Sequence, residues 1–313
     1  MTDKEQKSVL NKLEEINYDY QYNNNLFYYG KHIKFLISLF KQGKFKKLFL
    51  QYKVHLKNKK NAKKTNKGKE KNNKEVFINF GEPIRIHNDS DKKIAIYSCI
   101  TGNYDDVLDP LVIEDNCDYI LFTNNDRIKS DVWKIRKIPD AILELKDNAK
   151  INRYVKLHPK KLLKEYDYSI YIDGNIKIIS NISTFIDKIN DKTGLAIHRH
   201  THNTCIFQEV NDCIAYGKGN KKNLKEQVNK YKKEGFPKEY GILQCNVLVS
   251  DLNNANSEKI FNAWWDEYFT SQSGRDQIAL PYVLWKNHIK IDDIGNLGDD
   301  ISKNRKIKVK EHI

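Results

Sequence analysis

Tyr171-Ile172-Asp173-Gly174-Asn175 sets a carboxylate and an amide oxygen two residues apart, with a single glycine between them, at the end of an apolar run. Oxygen ligands at that spacing suit a hard divalent cation, Mg2+ or Mn2+, which bridges to phosphates and neutralises charge as a diphosphate leaves. The amide of Asn175 stands where a second carboxylate would make the pair more negative. Asp-Gly-Asn is equally an ordinary turn tripeptide. Two more polar clusters follow apolar runs: Thr101-Gly102-Asn103-Tyr104-Asp105-Asp106 and Thr123-Asn124-Asn125-Asp126. In open α/β sheets ligands bind outside the carboxyl ends of the strands, so three such clusters predict one shared rim. The chain contains no P-loop, no G-x-G-x-x-G and no G-x-S-x-G elbow, which argues against kinase, dinucleotide-dehydrogenase and serine-hydrolase chemistry.

The elements that must carry these clusters are legible after Phe77, where short β-branched and aromatic runs alternate with longer helical stretches. Residues 93–101, 119–123, 168–173, 194–198 and 241–250 read as strands, apolar on both faces. Such strands predict a mostly parallel twisted sheet covered by helices on both sides. Residues 149–165 and 224–234 read as helices. Ile260, Phe261, Trp264, Trp265, Tyr268 and Phe269 mark one side of another, a core-packing face.

Upstream the composition changes. Of the net charge of +14, about +9 falls between Lys53 and Lys74, and only 39% of all residues are hydrophobic. Residues 58–75 read as a linker, too poor in apolar side chains to offset their chain entropy. Residues 1–57 read as a basic helical region: Ile33, Leu36, Ile37, Phe40, Phe45, Leu48, Phe49, Tyr52 and Leu56 recur at helical spacing among lysines. Such an extension either attaches residues 31–57 to an anionic inner membrane surface or packs on the main domain or a second copy of the chain. The folded unit then spans 76–313. Five scattered cysteines with no C-x-x-C pair predict reduced thiols, and no run of about 20 apolar residues predicts a membrane span. A cytoplasmic protein, peripheral at most, is the expectation.

The order of several segments resembles a known family. Tyr97 to Asp105, Asp118 to Asn124, Asn152 to Pro159, Tyr166 to Asn175, then Ser273 to Gln277 with Pro281 to Trp285 look like the glycosyltransferase-like family of bacterial surface-polysaccharide loci and plants, once a domain of unknown function. That family is similar to the GT-A fold family 8 glycosyltransferases, and the likeness covers about residues 93–290. It implies a GT-A-like sheet, a Mn2+ or Mg2+ cofactor, a nucleoside diphosphate sugar donor, most simply a UDP-sugar, and a glycan or glycolipid acceptor. Asp173 and Asn175 take the place of the metal-binding D-x-D pair, and Arg153 and Lys156, one helical turn apart, face the donor. Thr101, Asn103, Tyr104 and Asn124 line the base and ribose pocket, with Tyr104 able to stack on the base. Asp276 and Gln277 match the family's Asp-Gln beside the sugar, where an amide stabilises charge building on the anomeric carbon; the alternative makes Arg275 and Asp276 a helix-capping ion pair. Gln244 and Asn246 stand near the acceptor and the chemistry. Relatives add a late histidine to the metal, for which this chain offers His312 or His288, neither in the expected motif.

His198, His200 and His202 crowd one strand end, but no partner at zinc-ligand spacing accompanies them, so His198 and His200 read as acceptor or phosphate contacts and Glu209 as a general base. Two other classes compete: a nucleic-acid or polyanion binding protein using the lysine run, and a catalytically silent relative that only binds sugar nucleotide. The lysines lie outside the folded part without interleaved aromatics, which favours no specific nucleic acid.

Overall fold

A computed structural model of the protein describes residues 2–23, 82–200 and 204–310; residues 31–57, the linker at 58–75, His202 and His312 lie outside them. The strands are β1 (Ile84–Ile86), β2 (Ile94–Ile100), β3 (Val112–Glu114), β4 (Cys117–Thr123), β5 (Lys134–Lys137), β6 (Tyr168–Ile172), β7 (Ile176–Ile178), β8 (Leu195–Arg199), β9 (Leu243–Asp251), β10 (Gly295–Asn296) and β11 (Ile307–Val309). The helices are α1 (Asp3–Asn23), α2 (Asp140–Leu143), α3 (Asn148–Leu157), α4 (Pro159–Leu162), α5 (Ile206–Ala215), α6 (Lys221–Lys233), α7 (Ala255–Ser271) and α8 (Asp276–Lys286).

Seven strands form one sheet in the order β10-β8-β9-β6-β2-β4-β5. Only β9 runs antiparallel to its neighbours, so the sheet is mostly parallel, as the apolar runs predict. Both faces are covered. Along β2, Ala95, Tyr97 and Cys99 pack in one core with Val155, Tyr171, Trp264 and Leu280. Ile94, Ile96 and Ile100 point to the other, with Ile172, Ile178, Val247 and Ile307. The strand period of two is therefore present in direction but hidden in composition.

Chain order places the rim. From β2 the chain steps outward to β4 and β5, then returns to β6 on the other flank of β2. At such a reversal the loops after the two strands part, leaving a crevice at their carboxyl ends. The residues beside it are 101–105 and 173–175.

Two helical readings change. Residues 149–165 are not one helix: α3 ends at Leu157, and one turn, α4, restarts at Pro159, because the residue before a proline is pushed out of the helical region. Asp147 caps α3, accepting from the amides of Ala149 and Lys150. The N-terminal region also divides differently. α1 carries Asp3, Glu5, Glu14 and Glu15 and lays Val9, Leu10 and Leu13 on Ile86, Leu111, Val112 and Ile179. Its apolar face thus belongs to the core of the domain, and the folded unit includes α1 rather than beginning at 76.

Candidate active site

Asp173 leaves β6 at the rim with 19% of its side chain exposed. Its amide donates to the carbonyl of Asn246 at 2.9 Å, and the Asn246 Nδ2 donates back to Asp173 Oδ2 at 2.8 Å. Ile176 N closes the turn onto Asp173 O at 3.0 Å. Gly174 is closely packed here: a Cβ would lie 3.0 Å from Ile100 Cγ1 and 3.1 Å from Asp105 Oδ2, so a larger residue would have to displace those side chains. Asn175 is buried, its Nδ2 donating to Lys310 O at 2.7 Å, while its Oδ1 is buried with no partner. A buried amide oxygen without a donor is costly unless something electropositive meets it.

Behind this turn lies a buried ion cluster. Lys156 on α3 is 2% exposed; its Nζ is 2.6 Å from Asp276 Oδ2 and 3.9 Å from Asp173 Oδ1. Arg153, one turn earlier, brings Nε to 3.0 Å from Asp276 Oδ1. Asp276 opens α8, and the buried Trp264 indole donates to its carbonyl at 2.8 Å. Burial alone would push the Asp276 carboxyl up, but Arg153, Lys156 and then Arg275 hold it well below the ordinary range. Burial would likewise weaken the Arg153 charge, and Asp276 and Asp173 outweigh it. Tyr97 Oη fixes α3 against the sheet by donating to Lys156 O at 2.8 Å.

Across the crevice, asparagines tie the loops together. Asn124 Oδ1 accepts from Gly102 N at 2.8 Å and its Nδ2 reaches Asn148 Oδ1 at 3.1 Å. Asn125 Nδ2 donates to Gly102 O at 2.8 Å and to Asn103 Oδ1 at 3.0 Å, and Thr101 Oγ1 donates to Asn148 O at 3.0 Å. The Tyr104 ring stands 61% exposed on this rim.

The profile of the TOD1/MUCI70, glycosyltransferase-like domain matches residues 79–312. The chain belongs to this family. Among solved structures it is similar to the bifunctional glycosyltransferase WbbM, with 12% identity and a TM-score of 0.41 over 67% of this chain and 39% of that one. The galactosyltransferase LgtC aligns at 12% identity and a TM-score of 0.34, covering 60% of this chain and 70% of that one. Mouse xyloside xylosyltransferase 1 aligns at 10% and 0.37, covering 66% and 83%. A short stretch is also 38% identical over 53 residues to the Ras-related protein RABG3b of Arabidopsis thaliana, covering 17% of this chain and only 26% of that protein.

Within this TOD1/MUCI70 domain the residues read from sequence fall into three groups. Asp173, Asn175, Arg153, Lys156, Asp276 and Asn246 belong to one neighbourhood, though Asn246 contacts Asp173 directly and not a distant acceptor region. Thr101, Asn103 and Asn124 ring the crevice with side chains committed to loop structure. A third group has its side chains engaged in other contacts. His198, taken as an acceptor contact, is fully buried, with Nε2 2.8 Å from Asn304 Nδ2, on the same face of β8 as Ala196 and beside Phe185. Gln244, taken as catalytic, gives its Oε1 to Ile301 N at 2.6 Å and pins that loop. His288 is exposed, just past the far end of α8 from Asp276. His200 Nε2 stands 3.7 Å from Glu209 Oε2, and Gln277 Oε1 accepts from Arg275 Nη2 at 3.4 Å. Asn148 and Lys310 were missed: isolated in sequence, they acquire meaning only through contacts across the fold.

Among the described residues no group of three or more His, Cys, Asp or Glu side chains gathers. The donor set for a cation is instead mixed, the Asp173 carboxylate and the unpartnered Asn175 Oδ1, with glycine between to allow close approach. Hard oxygens of this kind fit Mg2+ or Mn2+.

Burial pushes the His198 pKa from 6.5 down to about 4. An unfolded chain takes up a proton there below about pH 6.5 that the folded chain refuses, so stability present at neutral pH is lost as pH falls toward 4. His198→Gln is expected to flatten part of that decline in urea unfolding compared at pH 7 and pH 5. An unchanged slope would contradict the assignment.

Proposed function

We propose that the domain transfers a sugar from a nucleoside diphosphate sugar, a UDP-sugar first, to a hydroxyl of a glycan or glycolipid, with Mn2+ or Mg2+ as cofactor, in surface-polysaccharide synthesis. The observation that carries this reading is the joining of Asp173 and Asn175 with the Arg153, Lys156 and Asp276 cluster at the β2/β6 crevice of a glycosyltransferase-like domain. The cation, when bound, would neutralise the departing diphosphate.

The chain's own residues supply the rest. Arg153, with 22% of its side chain exposed, is the cation of the pair open to the crevice, whereas Lys156 is sealed behind it. Arg153 is therefore the residue that meets phosphate, and Lys156 orients Asp276. Asp276, ionised and paired with cations, is a poor nucleophile and would accept a hydrogen bond donated by a hydroxyl of the donor sugar. Glu209, beside His200, is the carboxylate available for the acceptor's proton as its oxygen attacks the anomeric carbon and the bond to diphosphate breaks. Tyr104 offers its exposed ring to the base.

Calorimetry of the full chain with UDP and UDP-sugars, with and without Mn2+, tests this. Cation-dependent binding supports it; equal affinity with and without the metal removes the metal-bridged site, and no binding of any nucleoside diphosphate removes the transferase reading. A polyanion-binding protein would instead bind heparin and ignore UDP.

A further inference from the structure

We propose that α1 sets the position of the cation-binding turn, with Glu14 and Asn17 as its positioning residues. The inference rests on reading Asp173 and Asn175 as the ligands of the donor's cation.

β7 begins at the residue after Asn175 and pairs antiparallel with β11, Ile176 opposite Val309 and Ile178 opposite Ile307. At the site end the last rung is Asn175 with Lys310: Lys310 N donates to Asn175 O at 2.8 Å and Asn175 Nδ2 to Lys310 O at 2.7 Å. These two strands form a separate two-stranded sheet. Ile176, Ile178 and Ile307 seat the pair in the core beneath the main sheet; three-residue strands are marginal by themselves, so the far end takes its position from what grips it.

At the opposite end α1 grips both strands. Glu14 Oε1 accepts from Ser180 Oγ at 2.7 Å, just past β7, and from Lys306 Nζ at 3.0 Å, just before β11. Asn17, 5% exposed, donates its single Nδ2 to two carbonyls, Arg305 O at 2.9 Å and Ile307 O at 2.8 Å. The Arg305 guanidinium lies over the Tyr18 ring at 4.3 Å. Every rung between this grip and Asn175 is a backbone pair, about 10 Å in length at 3.3 Å per residue.

The grip lies between open space and apolar packing. A cavity of about 560 Å3 opens beside them, lined in part by Glu14, Phe185, Asn304, Arg305 and Lys306. Buried Leu13 and Ile16 flank them, Leu13 in one cluster with Ile179 just past β7. Apolar burial holds α1 on the domain, and Glu14 and Asn17 fix its register on the two strands through directional bonds; a shift there travels along the ladder to the unpartnered Asn175 Oδ1.

The test uses the full chain carrying Asn17→Asp, which turns the donating amide into an oxygen facing two carbonyls, and separately Glu14→Gln, which keeps an acceptor for Ser180 and loses the charge that pairs Lys306. Mn2+ affinity in the presence of UDP is read by calorimetry or electron paramagnetic resonance, and melting temperature apart from it. Asn17→Asp is expected to weaken cation binding roughly tenfold, the low end for groups that orient metal ligands, and Glu14→Gln less. Asn17→Gln, which retains an amide donor, should recover part of the loss. A lower melting temperature with unchanged Mn2+ affinity in the folded protein would overturn the proposal. If Asn17→Asp fails to fold, Glu14→Gln decides in the same way. Asp173→Asn in parallel separates the two ideas: wild-type Mn2+ and UDP binding by that variant sinks the reading of the site itself, whereas its loss alongside unaffected α1 variants sinks only the role of α1.

Discussion

Lys156→Met is expected to cost the domain about 3 kcal/mol of stability, near the lower end of what breaking a buried ion pair costs, and to abolish transfer. Lys156 is 2% exposed and 2.6 Å from Asp276 Oδ2, and the carboxylate it leaves is as closed to water as the ammonium was. Methionine fills the stem volume but offers Asp276 no donor. Arg153 stays at 3.0 Å, which is why the loss falls at the lower end and not beyond it. The double variant Lys156→Met, Asp276→Asn removes both charges and should recover most of the stability without recovering activity. Urea unfolding of the single, double and Asp276→Asn variants closes the cycle; an additive result would mean that the pair does not interact. Lys164→Met, at an exposed position, should change stability by less than about 0.5 kcal/mol. The pH profile gives a second reading. The Asp276 pKa is depressed in the folded state, so its pairing contributes above the unfolded carboxyl range and is lost as pH falls through the folded value. The double variant should lack that part of the acid sensitivity.

The sequence showed the sheet more plainly than the cluster. β2, β4, β6, β8 and β9 were visible because a strand covered on both faces is apolar throughout. α8 entered only as the helix that Arg275 and Asp276 would cap, with no bounds, for the related reason that it is buried nearly all round. Ile278, Ala279, Leu280, Tyr282, Val283 and Leu284 leave no polar face to give it a period, and Pro281 lies inside it. Asp173 and Asn175 stood out by spacing and chemistry. That Lys156 would bind Asp276, 120 residues away, was beyond any local pattern, since the contact exists only once α3 and α8 pack at one end of the sheet. His198 misled for a different reason. Strand alternation puts it on the face of Ala196, and that face stays covered, by Phe185, to the end of the strand. α1 was absorbed into a basic N-terminal region, because the lysines downstream dominate the composition and mask a helix that is acidic in its first turn.

Asp173→Asn is expected to leave the fold intact and remove metal-dependent donor binding. The substitution keeps the shape, and an amide oxygen can still accept the 2.8 Å bond from Asn246. Only the charge goes. Because Asn175 already contributes a neutral oxygen, Asp173 is the single carboxylate of the turn, and its neutralisation leaves two amides to hold a divalent ion against water. Mn2+ and UDP affinity should therefore fall by more than the roughly 10–100-fold that loss of a ligand-orienting group costs. Stability should move little, since the side chain is partly open to solvent and Lys156 stands 3.9 Å away, too far for a direct hydrogen bond. Calorimetry with Mn2+ and UDP, beside a melting curve, separates the two effects. Retained cation-dependent binding by a folded Asp173→Asn protein would place the donor's metal somewhere other than this turn, and Asp105, whose Oδ2 lies 3.1 Å from the Cβ position of Gly174, would be the carboxylate to replace next.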